Sequence, residues 1–308
     1  MNPAPFFSIV IPTHNRPHLL PRSVNSTLVQ DYDHFEIIVV DEGSRVPASQ
    51  SLADVRDSRL RLFRNDTARG VSVARNSAIA AAKGDWIVFL DDDDELLPGY
   101  LQAIAKAIIA APPKTGLAWT SIIFSEAGPD GTANTWLRTI PGFADGAAGP
   151  YPMRPDLSDI HFGIGAISVR RDALLGSGGF DEAMSFAEDY DLILRLVGAG
   201  WLAVAVNSPL ARFNLQHELR LTNAAAGRRR ILAHMRVLRK NRKFLRSRKG
   251  AEDYLLWVVT RDLLRGGFER RGWRVLAYLL KTRPTHGRIL HLYFNTQIYR
   301  LRHWLSRR

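Results

Sequence analysis

The chain has no cysteine, which excludes disulfides, zinc fingers and thiolate catalysis. It has no apolar run near the roughly 18 to 20 residues of a spanning helix. Its first residues, MNPAPFFSIVIPTHNR, lack a basic flank followed by an apolar stretch, so a signal peptide is not expected. Acid is scarce in one region only. Gly227 to Arg308 hold 23 Lys/Arg and 4 Asp/Glu, whereas residues 1–226 hold 19 basic and 26 acidic residues. The formal net charge of +12 is therefore an acidic body joined to a basic tail, and so strongly basic a region implies an anionic partner. At 308 residues and 46% hydrophobic content, the chain can form one large domain or two modest ones.

The body alternates strand and helix patterns. Phe7 to Ile11 and Phe35 to Val40 are short, branched apolar runs of the kind that form buried strands. Between them, Arg16 to Gln30 repeats Leu19, Leu20, Val24 and Leu28 at helical spacing, with Pro17 suited to a first turn. Arg59 to Phe63 and Trp86 to Leu90 continue the strands, and Val71 to Ala82 and Pro98 to Ala111 the helices. Residues 112–155 turn to Gly, Pro, Ala and Asp and predict a strand or two plus long loops. Ala166 to Val169 and Trp201 to Val206 predict two more strands, either side of a helix over Ala187 to Val197. The pattern specifies an α/β fold with a mainly parallel sheet, which binds ligands beyond the carboxyl ends of its strands.

At one such end lies Asp91-Asp92-Asp93-Asp94-Glu95, where five adjacent carboxylates demand a cation or many donors. Alternation places Asp91 and Asp93 toward one ligand. Oxygen ligands of this kind suit Mg²⁺ or Mn²⁺; a solvated acidic turn or a calcium-stabilised loop is the other reading of the run.

The motifs IPTHNR (11–16), VVDEGS (39–44), RGVSVARN (69–76), KGDWIVFLDDDDELLPGYL (83–101) and GGFDEAMSFAEDYDLILRL (178–196) resemble, in order and spacing, those of family 2 glycosyltransferases. The resemblance covers about residues 7–222 and implies a GT-A fold. It also implies inverting transfer of a sugar from a nucleotide-diphosphate donor to an acceptor hydroxyl, in cell-surface glycan or polysaccharide assembly. Residues 1–223 would be the catalytic domain, with a nucleotide-binding half to about 111 and an acceptor-side half over 112–223. Residues 224–308 would be a helical extension.

By the same resemblance, Pro12, Thr13 and Asn15 line the nucleotide pocket, and His14 sits where an aromatic often stacks. Asn15 is equally suited to cap a helix. Asp41 matches the aspartate that accepts a hydrogen bond from the base; Glu42 departs from the family pattern and receives no role. Arg75 would approach the diphosphate or base, its alternative being a surface helix arginine. Asp93 matches the metal-binding aspartate, with Asp91 beside it on the metal and Asp91 and Asp92 near the ribose and diphosphate. Asp94 and Glu95 are expected to cap the helix beginning at Pro98. His217 would complete the coordination of Mg²⁺ or Mn²⁺, with Arg220 a lesser diphosphate contact. Asp189 matches the base that deprotonates the acceptor, and Glu188 would position acceptor or base; both also favour a helix N-terminus for simple electrostatic reasons.

The tail carries amphipathic, aromatic-rich patterns: Ile231, Met235, Leu238 and Leu245; Tyr254 to Leu264; Val275 to Leu280; and Leu290, Phe294, Ile298, Leu301 and Leu305. These suit an anionic membrane surface, which would place the enzyme peripherally on the inner face of the cytoplasmic membrane, or a helical subdomain with solvated basic faces. No recognition motif for nucleic acid is present. The partners implied are a nucleotide-diphosphate sugar and a saccharide or lipid-linked acceptor. A noncatalytic nucleotide-sugar-binding scaffold and a nucleotide-sugar hydrolase stay open on sequence alone.

Overall fold

The computed structural model describes residues 4–128, 132–154, 157, 165–215, 227–265, 269–282 and 287. Two compact units are present, Met1–Met153 with His161–Leu219, and Arg154–Ile160 with Arg220–Arg308. The expected boundary between 223 and 224 lies outside the described residues.

The first unit runs β1 (Phe7–Thr13), α1 (Leu20–Leu28), β2 (Phe35–Glu42), α2 (Ala48–Ser51), β3 (Leu60–Asn65), α3 (Val71–Ala81), β4 (Trp86–Phe89) and β5 (Glu95–Leu96). It continues α4 (Tyr100–Ile109), β6 (Thr115–Ala127), β7 (Ala133–Arg138), β8 (Ala148–Tyr151), β9 (Ile167–Arg170), α5 (Arg171–Gly176), α6 (Glu188–Gly198) and β10 (Leu202–Leu215). The sheet order is β3-β2-β1-β4-β9-β6-β10-β5, with β7 on β6 and β8 on β10. β3, β2, β1 and β4 pair in parallel, β9 opposes both β4 and β6, and β10 is parallel to β6. All strands of that path except β9 and β5 therefore point one way, as expected of a mainly parallel sheet.

β1, β2 and β4 are buried along their whole length, the condition of strands covered on both faces. Phe7, Ile9, Ile11, Ile37, Val39 and Val88 share one core with Leu20 and Val24 of α1 and Leu101 and Ile104 of α4. Each such side chain contributes about 1.5–3 kcal/mol by leaving water. Val10, Ile38, Val40, Ile87 and Phe89 alternate with them and are equally buried on the other face. Glu36 lies buried in this sheet because it accepts from Ser8 Oγ at 2.7 Å, Lys83 N at 2.7 Å and Arg61 Nη1 at 2.6 Å. These donors outweigh burial and hold its carboxyl below the usual range.

Three elements differ from expectation. α1 starts at Leu20, not near Arg16: Asn15 is left-handed (φ 56°), and the next residues form a turn closed by Leu20 N to Arg16 O at 3.2 Å. Residues 112–155 hold β6, β7 and β8 where a strand or two is expected, and β6, Thr115–Ala127, is a long strand inside the sheet. β10 runs on to Leu215, the interruption at Pro209 being absorbed by register shifts on either side of it.

The second unit contains α7 (Gly227–Lys240), α8 (Arg242–Ser247), α9 (Ala251–Arg265) and α10 (Glu269–Thr282). Ile231, Val259 and Leu263 form one apolar cluster and Leu276 with Leu279 another. Asp262 is fully buried yet charged, since Arg230 at 3.2 Å and Arg261 at 3.1 Å both face it. Among the described residues no helix is long and apolar enough to cross a membrane. The stripe from Leu290 to Leu305 lies outside them.

Candidate active site

The acidic loop leaves the carboxyl end of β4 and divides its side chains between two environments. Asp92 turns inward, accepting from Thr13 Oγ1 at 2.6 Å and Arg16 Nη1 at 2.8 Å. Asp91, Asp93 and Asp94 each present a carboxylate oxygen within 4.8 Å of the others. Asp91 is 41% exposed and Asp93 21%, so the cluster opens to solvent on their side. Burial and repulsion by Asp91 push the Asp93 carboxyl up to about 6, against the pull of Arg16. Burial, then Asp91 and Asp93, raise Asp94 further above its ordinary value. Three hard oxygen donors so arranged, with Asp93 and Asp94 harder to ionise than in water, fit a divalent cation of the Mg²⁺ or Mn²⁺ type.

Part of the repulsion is offset by guanidinium groups. Arg16 also reaches Asp93 at 3.1 Å, Arg22 donates to the Asp93 carbonyl at 2.7 Å, and Arg75 donates to Asp91 at 2.9 Å. Asp94 and Glu95 do not cap the following helix, which starts after left-handed Gly99 with no side-chain cap. They hold β10 instead: Asn214 donates its backbone N–H to Asp94 at 2.9 Å and its amide to Glu95 at 3.0 Å and to the Asp93 carbonyl at 2.9 Å. The physical reason is β5, which draws Glu95 into an antiparallel pair with Arg212.

Arg75 projects from α3 and is 3% exposed, so it is no surface arginine. Its two terminal nitrogens bridge Asp91, at 2.9 Å, and Glu188, at 2.8 Å. Burial opposes its charge, but Asp91, Glu188 and Asp189 together keep it protonated. Asn76, the next residue, grips the Gly-Gly-Phe-Asp turn: it accepts from Phe180 N at 2.9 Å and donates to Phe180 O and to Glu182, each at 3.0 Å. Arg195 closes the same turn from α6, binding Ser177 O at 2.6 Å and Gly179 O at 2.7 Å while paired with buried Asp191 at 2.8 Å. The first turn of α6, with Glu188 and Asp189, is thereby fixed to the end of the parallel strands.

Asp189 is half-buried and accepts the Tyr190 N–H at 2.7 Å. Burial, then the neighbouring Glu188 charge, push its carboxyl up to about 6, although the Tyr190 N–H and Arg75 favour the anion. Ala187, just before it, is left-handed (φ 56°), a conformation that costs a residue with a Cβ roughly 1–2 kcal/mol.

On the nucleotide side, Pro12 is buried in β1 beside Val40, and Thr13 ends the strand beside Asp41. Asn15 does not cap a helix: its side chain accepts from Arg45 N at 2.8 Å and contacts His14 Nε2 at 2.8 Å, and its backbone N–H donates to Ser44 Oγ at 2.9 Å. His14 Nδ1 lies 2.6 Å from Glu42 O. Asp41 is 1% exposed and accepts from Ser44 N, Ala48 N and Arg64, so in this conformation its charge orders the loop after β2. Glu42, without a role in the sequence reading, is a buried anchor for the 65–70 loop, accepting from Asn65 and from the N–H groups of Arg69 and Gly70. His217 and Arg220 lie outside the described residues. The positioning residues that sequence reasoning passed over are Arg16, Asn76, Glu42 and Asn214. The first three stand inside quoted motifs, and Asn214 is three residues before His217.

Residues 8–176 match the model of Glycosyl transferase family 2. WcaA of Escherichia coli strain K12, whose name describes a colanic acid biosynthesis glycosyl transferase, is 27% identical over 295 residues, 91% of this chain and 94% of its own. The UDP-Glc:alpha-D-GlcNAc-diphosphoundecaprenol beta-1,3-glucosyltransferase WfgD of Escherichia coli is 38% identical over 87 residues, 28% of this chain and 34% of its own. Among solved structures, Staphylococcus aureus TarS 1-349 in complex with UDP-GlcNAc superposes with a TM-score of 0.62 at 17% identity, over 94% of this chain and 79% of that one. That likeness agrees with the parallel sheet and its acidic loop in assigning a GT-A fold. The family match extends over more than half of the sequence, from β1 through the acidic loop to α5, and the chain is a member of the family 2 glycosyltransferases.

Proposed function

We propose that this glycosyltransferase moves a sugar, with inversion, from a nucleotide-diphosphate donor to a hydroxyl of a saccharide or lipid-linked acceptor in bacterial surface polysaccharide assembly. The observation that carries this reading is the Arg75 bridge, in which one buried guanidinium holds Asp91 of the acidic loop and Glu188 beside Asp189. The carboxylates suited to a cation and the carboxylate suited to a base are thus kept at one place. UDP-GlcNAc bound by TarS and the diphosphoundecaprenol acceptor in WfgD's name are consistent with these substrate classes. The basic helical unit would meet an anionic membrane surface, where lipid-linked acceptors reside.

In this mechanism Asp189 takes the proton of the acceptor hydroxyl as its oxygen bonds to the anomeric carbon and the bond to the diphosphate breaks. Glu188, held by Arg75, keeps a second negative charge beside Asp189 and so keeps its carboxyl basic. Asp91, Asp93 and Asp94 would hold a Mg²⁺ or Mn²⁺ ion, which when bound neutralises charge on the leaving nucleoside diphosphate. The test is a transfer and hydrolysis assay over a panel of nucleotide sugars with Mn²⁺ or a chelator. Metal-dependent transfer to an added acceptor is expected. Hydrolysis without transfer to any acceptor would favour the hydrolase, and donor binding without turnover the scaffold.

A further inference from the structure

The helical unit holds an open groove of about 500 Å³ lined by residues of α7, α9 and α10. Its floor is the apolar cluster of Ile231, Val259 and Leu263. Leu232 and Met235 stand along it at 56% and 51% exposure, so the apolar surface continues into solvent rather than closing over itself. Arg228, Arg271 and Arg274 complete the lining, and none of the three has an ion pair among the described residues. Two acids of α9 are engaged with other arginines, Glu252 with Arg242 and Arg246, and Asp262 with Arg230 and Arg261.

We propose that this groove binds one hydrocarbon chain of an anionic membrane phospholipid, whose phosphate is met by Arg228, Arg271 and Arg274. This rests on the membrane-surface reading above and narrows it from a diffuse basic face to a defined site. Charge complementarity selects the occupant. The chain's own residues 283–308 bring Arg283, Arg288, Arg300, Arg302, Arg307 and Arg308 and no acid, and the helical unit of a second copy would bring the same basic face, so both set like charge against the arginines. An anionic amphiphile matches the apolar floor and the cationic rim together. Taking roughly 30 Å³ for a methylene, as for a water molecule, the volume suits a single acyl chain.

The experiment is cosedimentation of the full chain with phosphatidylcholine vesicles that contain or lack phosphatidylglycerol. It compares wild type with L232Q/M235Q, R271Q/R274Q and the control R229Q/R239Q, whose exposed arginines are outside the groove. Circular dichroism first checks that each variant is folded. The groove predicts that L232Q/M235Q and R271Q/R274Q each weaken binding to phosphatidylglycerol vesicles about tenfold, and the control only about twofold. An unchanged L232Q/M235Q, with equal losses in both arginine pairs, would overturn the groove and leave the membrane-surface reading standing. A wild type that ignores the vesicles overturns both. A wild-type dimer made monomeric by L232Q/M235Q assigns the groove to a second copy. Recruitment to neutral vesicles by polyprenyl phosphate, but not to phosphatidylglycerol vesicles, assigns it to a lipid-linked acceptor; either outcome overturns the proposal.

Discussion

At Asp189, the proposed base, a helix-terminal acid is made harder to ionise by what surrounds it. Its proton is held up to about pH 6, so the anion that the proposed mechanism uses dominates only above that value. A pH profile of kcat/KM is expected to rise to a plateau above about 6 on its acid limb. The stability sign is opposite: a carboxyl whose pKa is raised on folding stabilises the native state most below its unfolded value, and that contribution is lost as pH rises through the folded one. Asp189→Asn should therefore lower transfer at least about a hundredfold, leave donor binding intact, and raise stability at neutral pH. Turnover and thermal unfolding across pH check both halves. Arg75→Lys should cost about tenfold in kcat, because an ammonium group cannot reproduce a two-armed bridge to Asp91 and Glu188. Asp189 and Arg75 were legible as motif positions. That Asp92 faces Thr13 and Arg16 while Asp94 joins Asp91 and Asp93 was not, since alternation along an ideal strand does not describe a loop turning under its own hydrogen bonds.

Among the elements, the β1–β4 pair and the start of α6 set the site's precision. Gly84 precedes β4, and a Cβ there would lie 2.5 Å from Ser8 N and 2.8 Å from Phe6 O, both immobile backbone. Gly84→Ala should destabilise by about 1–3 kcal/mol in chemical denaturation, whereas Gly176→Ala, with nothing within 4 Å, should stay within about 0.5 kcal/mol. Ala187→Gly relieves left-handed strain at the cost of backbone entropy, and a gain of up to about 1 kcal/mol is expected in the same measurement. Most elements of the parallel half were readable from periodicity, because their burial is imposed by local apolar runs. The bounds of Thr115–Ala127 were obscured by the Gly/Pro composition around it, and the extension of Leu202–Leu215 beyond Val206 by Pro209, which a bulge accommodates and a pattern cannot anticipate.

For the whole molecule, folding is coupled to charge on two separate units. If Asp91, Asp93 and Asp94 hold a cation that recruits the donor diphosphate, a nucleoside diphosphate at a hundredfold over its Kd should add about 2.7 kcal/mol of stability with Mn²⁺ present and little with a chelator, read as a thermal shift. The sequence by itself determined the α/β class, the acidic body and basic tail, and the motifs that carry the family, because these follow from composition and short-range pattern. Only the tertiary structure decided which carboxylates converge, that Arg75 joins the acidic loop to the helix of Asp189, and that Asn214 locks that loop to β10. Two of these links, Arg75 to Glu188 and Asp94 to Asn214, span 113 and 120 residues of chain. A buried charge is tolerated only where the fold delivers its partner, and that pairing is written in geometry rather than in spacing.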